Sequence, residues 1–154
     1  MQCWVESGRK DAAEHAENAF RCIKASSELP DEICVSLLLS AYSKDLAIVK
    51  AERLLSETIE DLVKDASPVQ PCTRTSTDSF AIAFSYTNCP LPGNFNTVLS
   101  MYARLGTHDA PLKAENLVSR FRSLANRGLL ATKPDVYTYS QLLRCWRVTY
   151  SVLV

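Results

Sequence analysis

The chain contains few of the residues that build common catalytic and metal sites. Its 154 residues include only two histidines, His15 and His108, and four glycines. Neither histidine stands at metal-ligand spacing from cysteines or carboxylates, and the sequence has no glycine-rich phosphate loop. The six cysteines form no C-x-x-C pair, which argues against a zinc site and a disulfide framework and favours a reducing compartment. The sequence therefore predicts a protein that is not an enzyme and binds no metal or cofactor.

A long apolar segment is also missing. No apolar run approaches the roughly 20 residues that a membrane helix needs. The first six residues resemble neither a secretory leader nor an Arg/Ser-rich transit peptide. The composition, 47% apolar and 22% charged, is ordinary for a soluble folded domain. We therefore expect no membrane partner.

Basic residues are outnumbered in the first half of the chain, and acidic residues are outnumbered in the second half. Residues 1–72 contain 8 Lys/Arg and 13 Asp/Glu, whereas residues 73–154 contain 9 Lys/Arg and 4 Asp/Glu. The balance is −5 in the first half and +5 in the second, so the net charge is zero. The difference is explained either by chance and solvated helix faces or by a C-terminal half that approaches a polyanion.

What the chain does contain is a repeat. A proline is followed by a few extended residues and then by a short apolar pattern that closes on an aromatic residue. This distance is 12 residues in two copies, Pro30 to Tyr42 and Pro134 to Trp146, and 31 residues in the middle copy, Pro71 to Tyr102. Because 31 exceeds 12 by 19, the spacing predicts a 19-residue insertion at 76–94, whose Pro- and Gly-containing end we expect to be a loop.

A second helix follows each of these segments and carries an Ala-Glu pair. Steps of three and four put its apolar residues on one stripe, and a small alanine lets the helix approach its partner closely. Asp109 is a candidate N-cap, and Gly128 is a candidate C-terminal glycine. The pairs are Ala16-Glu17, Ala51-Glu52 and Ala114-Glu115. Each copy is thus predicted to be a helix hairpin that buries its apolar faces by stacking, and the fold class to be an all-α solenoid.

The spacing divides the chain 1–154 into four units. The predicted units are a partial unit at 1–30, a unit at 31–71, a unit at 72–134 interrupted at 76–94, and the first helix of a further unit at 135–150. We expect that first helix to end near Trp146. Because the chain begins and ends inside the repeat, we expect either a segment of a longer array or a truncated gene product, in both cases without capping ends.

Residues 95–106 and 133–140 resemble pentatricopeptide repeats. That family opens its units with an aromatic residue, then Asn, Thr or Ser, then an apolar helix, and closes them with Pro-Asp. The resemblance implies a right-handed superhelix of antiparallel helix hairpins, similar to the tetratricopeptide fold. It also implies an adapter that binds single-stranded RNA sequence-specifically, one base per unit, in organelle RNA processing. Other proteins of RNA-processing complexes would then be partners, and the location would be the mitochondrion or chloroplast.

The resemblance also assigns residues, carried over position by position. The first base-reading residues would be Ser36, Asn96 and Ser140, the second base-reading residues Asp31, Cys72 and Asp135, and the base-wedging residues Val35, Arg74 and Tyr137. Asn96 with Asp135 is similar to the family pair that prefers uridine. Ser36 with Cys72 departs from the pattern, because a thiol is a poor hydrogen-bond partner.

Other interpretations of the same residues stay open. Asn or Ser early in a helix and Asp after Pro are also ordinary capping and turn residues. Helical-hairpin arrays of the same build also serve as protein-interaction scaffolds of the tetratricopeptide type. A third interpretation is a fragment that does not function alone.

Overall fold

A computed structural model of the chain describes residues 12–26, 31–65, 92–130 and 132–153. These residues form six α-helices and no strand, so the predicted all-α class is confirmed for this part of the chain. In chain order the helices are α1 (Ala12–Ala25), α2 (Glu32–Lys44), α3 (Ile48–Asp65), α4 (Pro92–Leu105), α5 (Ala110–Asn126) and α6 (Val136–Leu153). Within these ranges, no helix combines the length and the apolar character needed to cross a bilayer.

The contacts between helices alternate along the chain. The first helices α2, α4 and α6 form a row, because α2 contacts α4 and α4 contacts α6. Each of the second helices α3 and α5 contacts the first helix before it and the first helix after it, and α1 contacts α2. A single core of buried apolar side chains runs through all six helices, from Ala16 in α1 to Cys145 in α6.

The alanines of the Ala-Glu pairs lie fully buried between helices. Ala16, Ala51 and Ala114 are all 0% exposed. A larger side chain at these positions would hold the second helix away from its neighbours, because protein cores are close-packed. The prediction that a small residue is needed here is consistent with this burial.

The glutamate that follows each alanine binds the closing aromatic of the next first helix. The hydroxyl of Tyr102 in α4 donates to Glu52 in α3. Trp146 Nε1 in α6 donates to Oε1 of Glu115 in α5 at 3.0 Å. One unit earlier, burial and then the charge of Glu17 in α1 raise the pKa of Tyr42 in α2, so these two side chains are also neighbours. The hydrogen bond thus joins two successive pairs of helices, α3 with α4 and α5 with α6, at equivalent positions of the repeat.

Helix α4 corrects the predicted boundaries of the third unit. The spacing placed an insertion at 76–94 with a loop at its end, but α4 begins at Pro92 and includes Asn94, which is 2% exposed. Proline fits a first helical turn, because its missing N–H has no partner there in any case. With the helix starting at this point, Pro90 precedes Tyr102 by 12 residues, as in the other two copies. The additional residues therefore lie before this copy of the repeat rather than inside it.

Helix α6 also differs from the prediction that it ends near Trp146. It continues to Leu153, and no glycine or proline occurs between these two residues. Helices α2 and α4 end soon after their closing aromatic residues, because a residue with left-handed backbone follows each of them. This residue is Leu46, with φ 53°, after α2 and Gly106, with φ 59°, after α4. Nothing in the local sequence of α6 stops it in the same way.

The predicted ends of α5 are confirmed in position. At the C-terminus, Gly128 has φ 74°, its N–H donates to Ala125 O at 3.1 Å, and the N–H of Leu129 donates to Leu124 O at 3.0 Å. This pair of hydrogen bonds is the Schellman motif, which favours glycine. At the N-terminus, Asp109 occupies the N-cap position, but its side chain makes no capping hydrogen bond.

We expect Gly106→Ala to lower the free energy of unfolding more than Gly128→Ala. Both glycines have positive φ, where alanine costs about 1–2 kcal/mol. At Gly106 an ideal Cβ would also lie 2.9 Å from Cγ1 of Val148 in α6, whereas at Gly128 nothing lies within 4 Å. Overpacking should add about 1 kcal/mol or more at Gly106 alone. Urea denaturation followed by circular dichroism measures the difference, and equal losses would contradict the close approach of α4 and α6.

A second expectation concerns alkaline pH. Burial, followed by the charge of Glu17, raises the pKa of Tyr42 to about 12. Because the folded pKa lies above the ordinary value of about 10, the stabilising contribution of neutral Tyr42 is complete below that ordinary value and is lost as the pH rises through about 12. Tyr42→Phe should abolish this part of the pH dependence. Tyrosinate absorbance should likewise lose a late step in the variant, and an unchanged titration would contradict the assignment.

Candidate functional site

The three residues predicted to read bases first occupy one register position. Ser36, Asn96 and Ser140 are each the fifth residue of their helix, in α2, α4 and α6 respectively. Since these helices form a row, the three positions lie on successive neighbouring helices. Cys72 and Arg74 lie outside the described residues.

The structure brings Asn96 and Asp135 together through Thr138. Thr138 Oγ1 lies 2.9 Å from Oδ1 of Asn96 and 2.9 Å from Oδ1 of Asp135. A hydroxyl has one proton, so it donates to one of these oxygens at a time, or accepts from the Asn96 amide in its flipped orientation. Thr138 is 1% exposed, which shields the contact from water. The predicted pair is therefore one hydrogen-bonded group at the start of α6.

The same contact occurs one unit earlier. Ser36 Oγ donates to Oδ1 of Asn94 at 2.9 Å. Asn94 and Thr138 are each the third residue of their helix, so in both cases the fifth residue of one first helix binds the third residue of the next. Nδ2 of Asn94 is buried without a hydrogen-bond partner. Sequence analysis did not identify Asn94 and Thr138. Each is a polar residue two positions before a predicted base-reading residue, and this spacing could have indicated them.

Ser140 differs from Ser36 and Asn96 in its partner. Its hydroxyl donates to the backbone oxygen of Val136 in its own helix at 2.7 Å, and the residue is exposed. This is the common behaviour of a helical serine that faces solvent. The structure therefore leaves Ser140 at the surface of α6.

The two aspartates act as helix caps. Asp31 Oδ1 accepts from the backbone N–H of Cys34 at 2.8 Å, and Asp135 Oδ1 accepts from the backbone N–H of Thr138 at 2.9 Å. Hydrogen bonds from the thiol and then the backbone N–H of Cys34 lower the pKa of Asp31. The backbone N–H and then the hydroxyl of Thr138 lower the pKa of Asp135. The capping role that the sequence left open is confirmed, and both carboxylates stay charged at neutral pH.

The structure corrects the predicted base-wedging residue of α2. Val35 is 3% exposed and belongs to the hydrophobic core, so it has no surface to offer a base. The second residue of α2 is Ile33, which is 65% exposed, and the second residue of α6 is Tyr137, which is 55% exposed. Ile33 and Tyr137 both follow a proline by three residues. That spacing was available in the sequence and identifies Ile33 as the counterpart of Tyr137.

Cys72 and Arg74 were assigned by their positions after Pro71, and the observed start of α4 gives these positions to other residues. Counted from Pro92, the position before the helix is Leu91 rather than Cys72, and the second position of the helix is Gly93 rather than Arg74. Leu91 has no polar side-chain atom and Gly93 has no side chain. By this register, the middle unit has neither a second base-reading residue nor a base-wedging residue.

The surface charge of the described residues divides as the sequence predicted. Carboxylates of α1 and α3 form ion pairs with neighbouring cations, as the partly buried Glu17 does with Lys50 at 2.7 Å. From residue 110 to 151 the chain contains seven Lys/Arg and two Asp/Glu. Of these cations, Arg144 and Arg147 lie exposed on α6 and form no ion pair with the described residues. This imbalance favours approach of an anionic partner to the C-terminal half.

A cleft of about 220 Å³ lies between α3 and α5, over α4. Its polar residues include Lys113, whose Nζ is 4.0 Å from Oε1 of Glu52, and Arg120, whose Nη1 is 3.4 Å from Oγ of Ser56. Its apolar lining consists of Leu55, Ile59, Val98 and Leu117. The described residues contain no cluster of three or more His, Cys, Asp or Glu that could hold a metal ion.

We expect Thr138→Val to destabilise the protein by about 1–3 kcal/mol, because it leaves the half-buried oxygen of Asn96 without its hydrogen-bond donor. The substitution keeps the side-chain shape, so packing should change little. Ser140→Ala is the matched control: this hydroxyl is exposed and bonds only within its helix, and we expect a change below about 0.5 kcal/mol. Denaturant unfolding measures both variants, and a neutral Thr138→Val would show that the group contributes no stability.

Comparisons with known proteins found no match: no protein-family model, no curated protein and no solved structure matches the chain.

Proposed function

We propose that this protein binds single-stranded RNA sequence-specifically along the row of first helices α2, α4 and α6, as a non-enzymatic adapter in organelle RNA processing. The proposal includes membership of the pentatricopeptide repeat family and its right-handed α-solenoid. It also includes a location in the mitochondrion or chloroplast. One observation carries it: residues of the base-reading type recur as the fifth residue of three adjacent helices.

The group around Thr138 supports this proposal chemically. With Oδ1 of Asn96 held by Thr138, Nδ2 of Asn96 is left as a donor, and the second carboxylate oxygen of Asp135 is left as an acceptor. A donor beside an acceptor is complementary to the O4 and N3–H of uracil, on the base edge that proteins read in unpaired RNA. Because the buried hydroxyl of Thr138 holds Asn96 and the backbone N–H of Thr138 holds Asp135, the site is preorganised.

Two side chains at the second helix position support a role in stacking. Ile33 in α2 and Tyr137 in α6 are exposed beside the reading positions. Exposed aromatic and aliphatic side chains at this place give an unpaired base an apolar surface. The basic balance of residues 110–151 adds attraction for phosphates.

The alternative function is a protein-interaction scaffold, and the cleft between α3 and α5 favours it. Its apolar lining and polar rim are typical of a surface that takes one apolar side chain of a peptide. A peptide would be held mainly by apolar contact, so its affinity would depend weakly on salt. RNA affinity would fall steeply with salt, by about 0.7 log units per log unit of salt for each phosphate contact.

We expect the chain to bind oligouridine more tightly than oligoadenosine, and Asn96→Ala to reduce this preference by about tenfold. Fluorescence anisotropy with labelled RNA over a salt series measures both. Ser119→Ala is the control, because Ser119 is exposed on the second helix α5 and lies outside the row of first helices. Binding that is independent of salt and of RNA sequence would exclude sequence-specific RNA recognition and would favour the scaffold.

A further inference from the structure

The outward face of α6 corresponds to the faces of α2 and α4 that contact the next first helix in the row. In α4, Asn96 contacts Thr138, the backbone oxygen of Leu99 lies 3.6 Å from Sγ of Cys145, and Gly106 lies against Val148. These α4 positions are the fifth, eighth and fifteenth counted from the start of the helix. In α2, Ser43 at the twelfth position accepts a hydrogen bond from Arg104 of α4. The fifth, eighth, twelfth and fifteenth positions thus form a row that contacts the following helix.

On α6 the same four positions are all exposed. They are Ser140, Leu143, Arg147 and Tyr150. The contrast is sharpest at the eighth position, where Leu39 and Leu99 are 0% exposed and Leu143 is 68% exposed. The described residues provide no seventh helix to cover this row.

Two residues of this row on α6, Arg147 and Tyr150, are larger than their counterparts on α2 and α4. At the twelfth position α2 and α4 have Ser43 and Ala103, whereas α6 has Arg147. At the ninth position, beside the row, both internal helices have serine and α6 has Arg144. Small residues permit the close approach that two packed helices need, and arginine side chains hold them apart.

The end of the row differs in backbone as well as side chain. Where α4 turns at Gly106, an added Cβ would already lie 2.9 Å from Val148 of the next helix. Helix α6 does not turn there but continues, and it places Tyr150 at this position. A further helix that packed on α6 as α6 packs on α4 would therefore meet the side chains of Arg147 and Tyr150.

The chemistry of this face suits a polyanion with flat bases. Helix α6 contains no Asp or Glu, and Arg144 and Arg147 form no ion pair with the described residues. Tyr150 is 61% exposed and stacks on Trp146 with ring centroids 5.7 Å apart. Trp146 is in turn fixed by its hydrogen bond to Glu115. The tyrosine ring is thus held in place while most of its surface stays open.

We propose that the outer face of α6, formed by Leu143, Arg144, Arg147 and Tyr150, is a sequence-independent platform for single-stranded RNA next to the reading row. Arg144 and Arg147 bind phosphates, and a base stacks on Tyr150. The inference rests on the proposed function, because it extends the path of the same RNA strand beyond Ser140. It differs from base reading in that it contributes affinity without base preference.

The test compares two variants of the full chain with wild type in the anisotropy assay, using oligouridine and oligoadenosine. Tyr150→Ala should weaken binding of both RNAs about tenfold, the loss of one stacked base. The double variant Arg144→Gln/Arg147→Gln should weaken both and reduce the slope of log affinity against log salt by about 1.4, for two phosphate contacts. The ratio between the two RNAs should stay unchanged in both variants.

The matched control is Arg53→Gln/Lys64→Gln, which removes the same charge from α3. These side chains are 82% and 72% exposed, and α3 does not contact α6. Circular dichroism should show that all variants fold as wild type, since every substituted side chain is exposed. A control that weakens binding as much as the α6 double variant would reduce the effect to net charge and overturn the platform.

The remaining outcomes separate this inference from the proposed function. If Asn96→Ala removes the uridine preference while the α6 variants bind like wild type, the reading row stands and the platform is wrong. If wild type binds neither RNA, both are wrong. If, in addition, wild type self-associates in sedimentation experiments and Tyr150→Ala does not, the face is a contact between proteins.

Discussion

The hydrogen bond between a glutamate of one second helix and the closing aromatic of the next first helix links the units of this protein. It joins Glu52 to Tyr102 and Glu115 to Trp146, and the same arrangement raises the pKa of Tyr42 beside Glu17. The alanine before each glutamate is fully buried, which lets the two helices come close enough for the bond to form. A buried tyrosine or tryptophan needs a partner for its polar atom, and a carboxylate at a helix surface supplies one. Packing and hydrogen bonding therefore constrain the same pair of adjacent residues.

The row of first helices depends on a second recurring contact, between the fifth residue of one helix and the third residue of the next. Ser36 with Asn94 and Asn96 with Thr138 are its two examples. The same contact orients the side chains proposed to meet RNA bases, and Asp135 both caps α6 and takes part in the group around Thr138. Stability and the proposed recognition of RNA therefore depend on the same atoms. A loss of RNA binding at this group therefore has meaning only beside a measurement of unfolding.

The candidate site could be predicted from the sequence only in part. The resemblance to pentatricopeptide repeats paired Asn96 with Asp135, and the structure places both within reach of one hydroxyl. Val35 was misplaced, because the sequence shows that a residue is apolar but not which side of the helix the neighbouring helices will cover. Cys72 and Arg74 were assigned by counting from Pro71, although Pro90 fits the same spacing. The free-energy cost of a linker between two helices rises only slowly with its length, so counting could not choose between the two prolines.

The sequence by itself determined the helical class, the Ala-Glu and aromatic landmarks, the glycine that ends α5 and the aspartates that cap α2 and α6. These features follow from local chemistry, since periodicity, caps and left-handed turns depend on residues within one or two helical turns. Only the tertiary structure decided where α4 begins, that Thr138 contacts Asn96 42 positions earlier in the chain, and which face of α6 stays open. Each of these depends on how closely two helices distant in sequence approach. That distance is set by side-chain volumes on both helices together, which neither segment encodes alone.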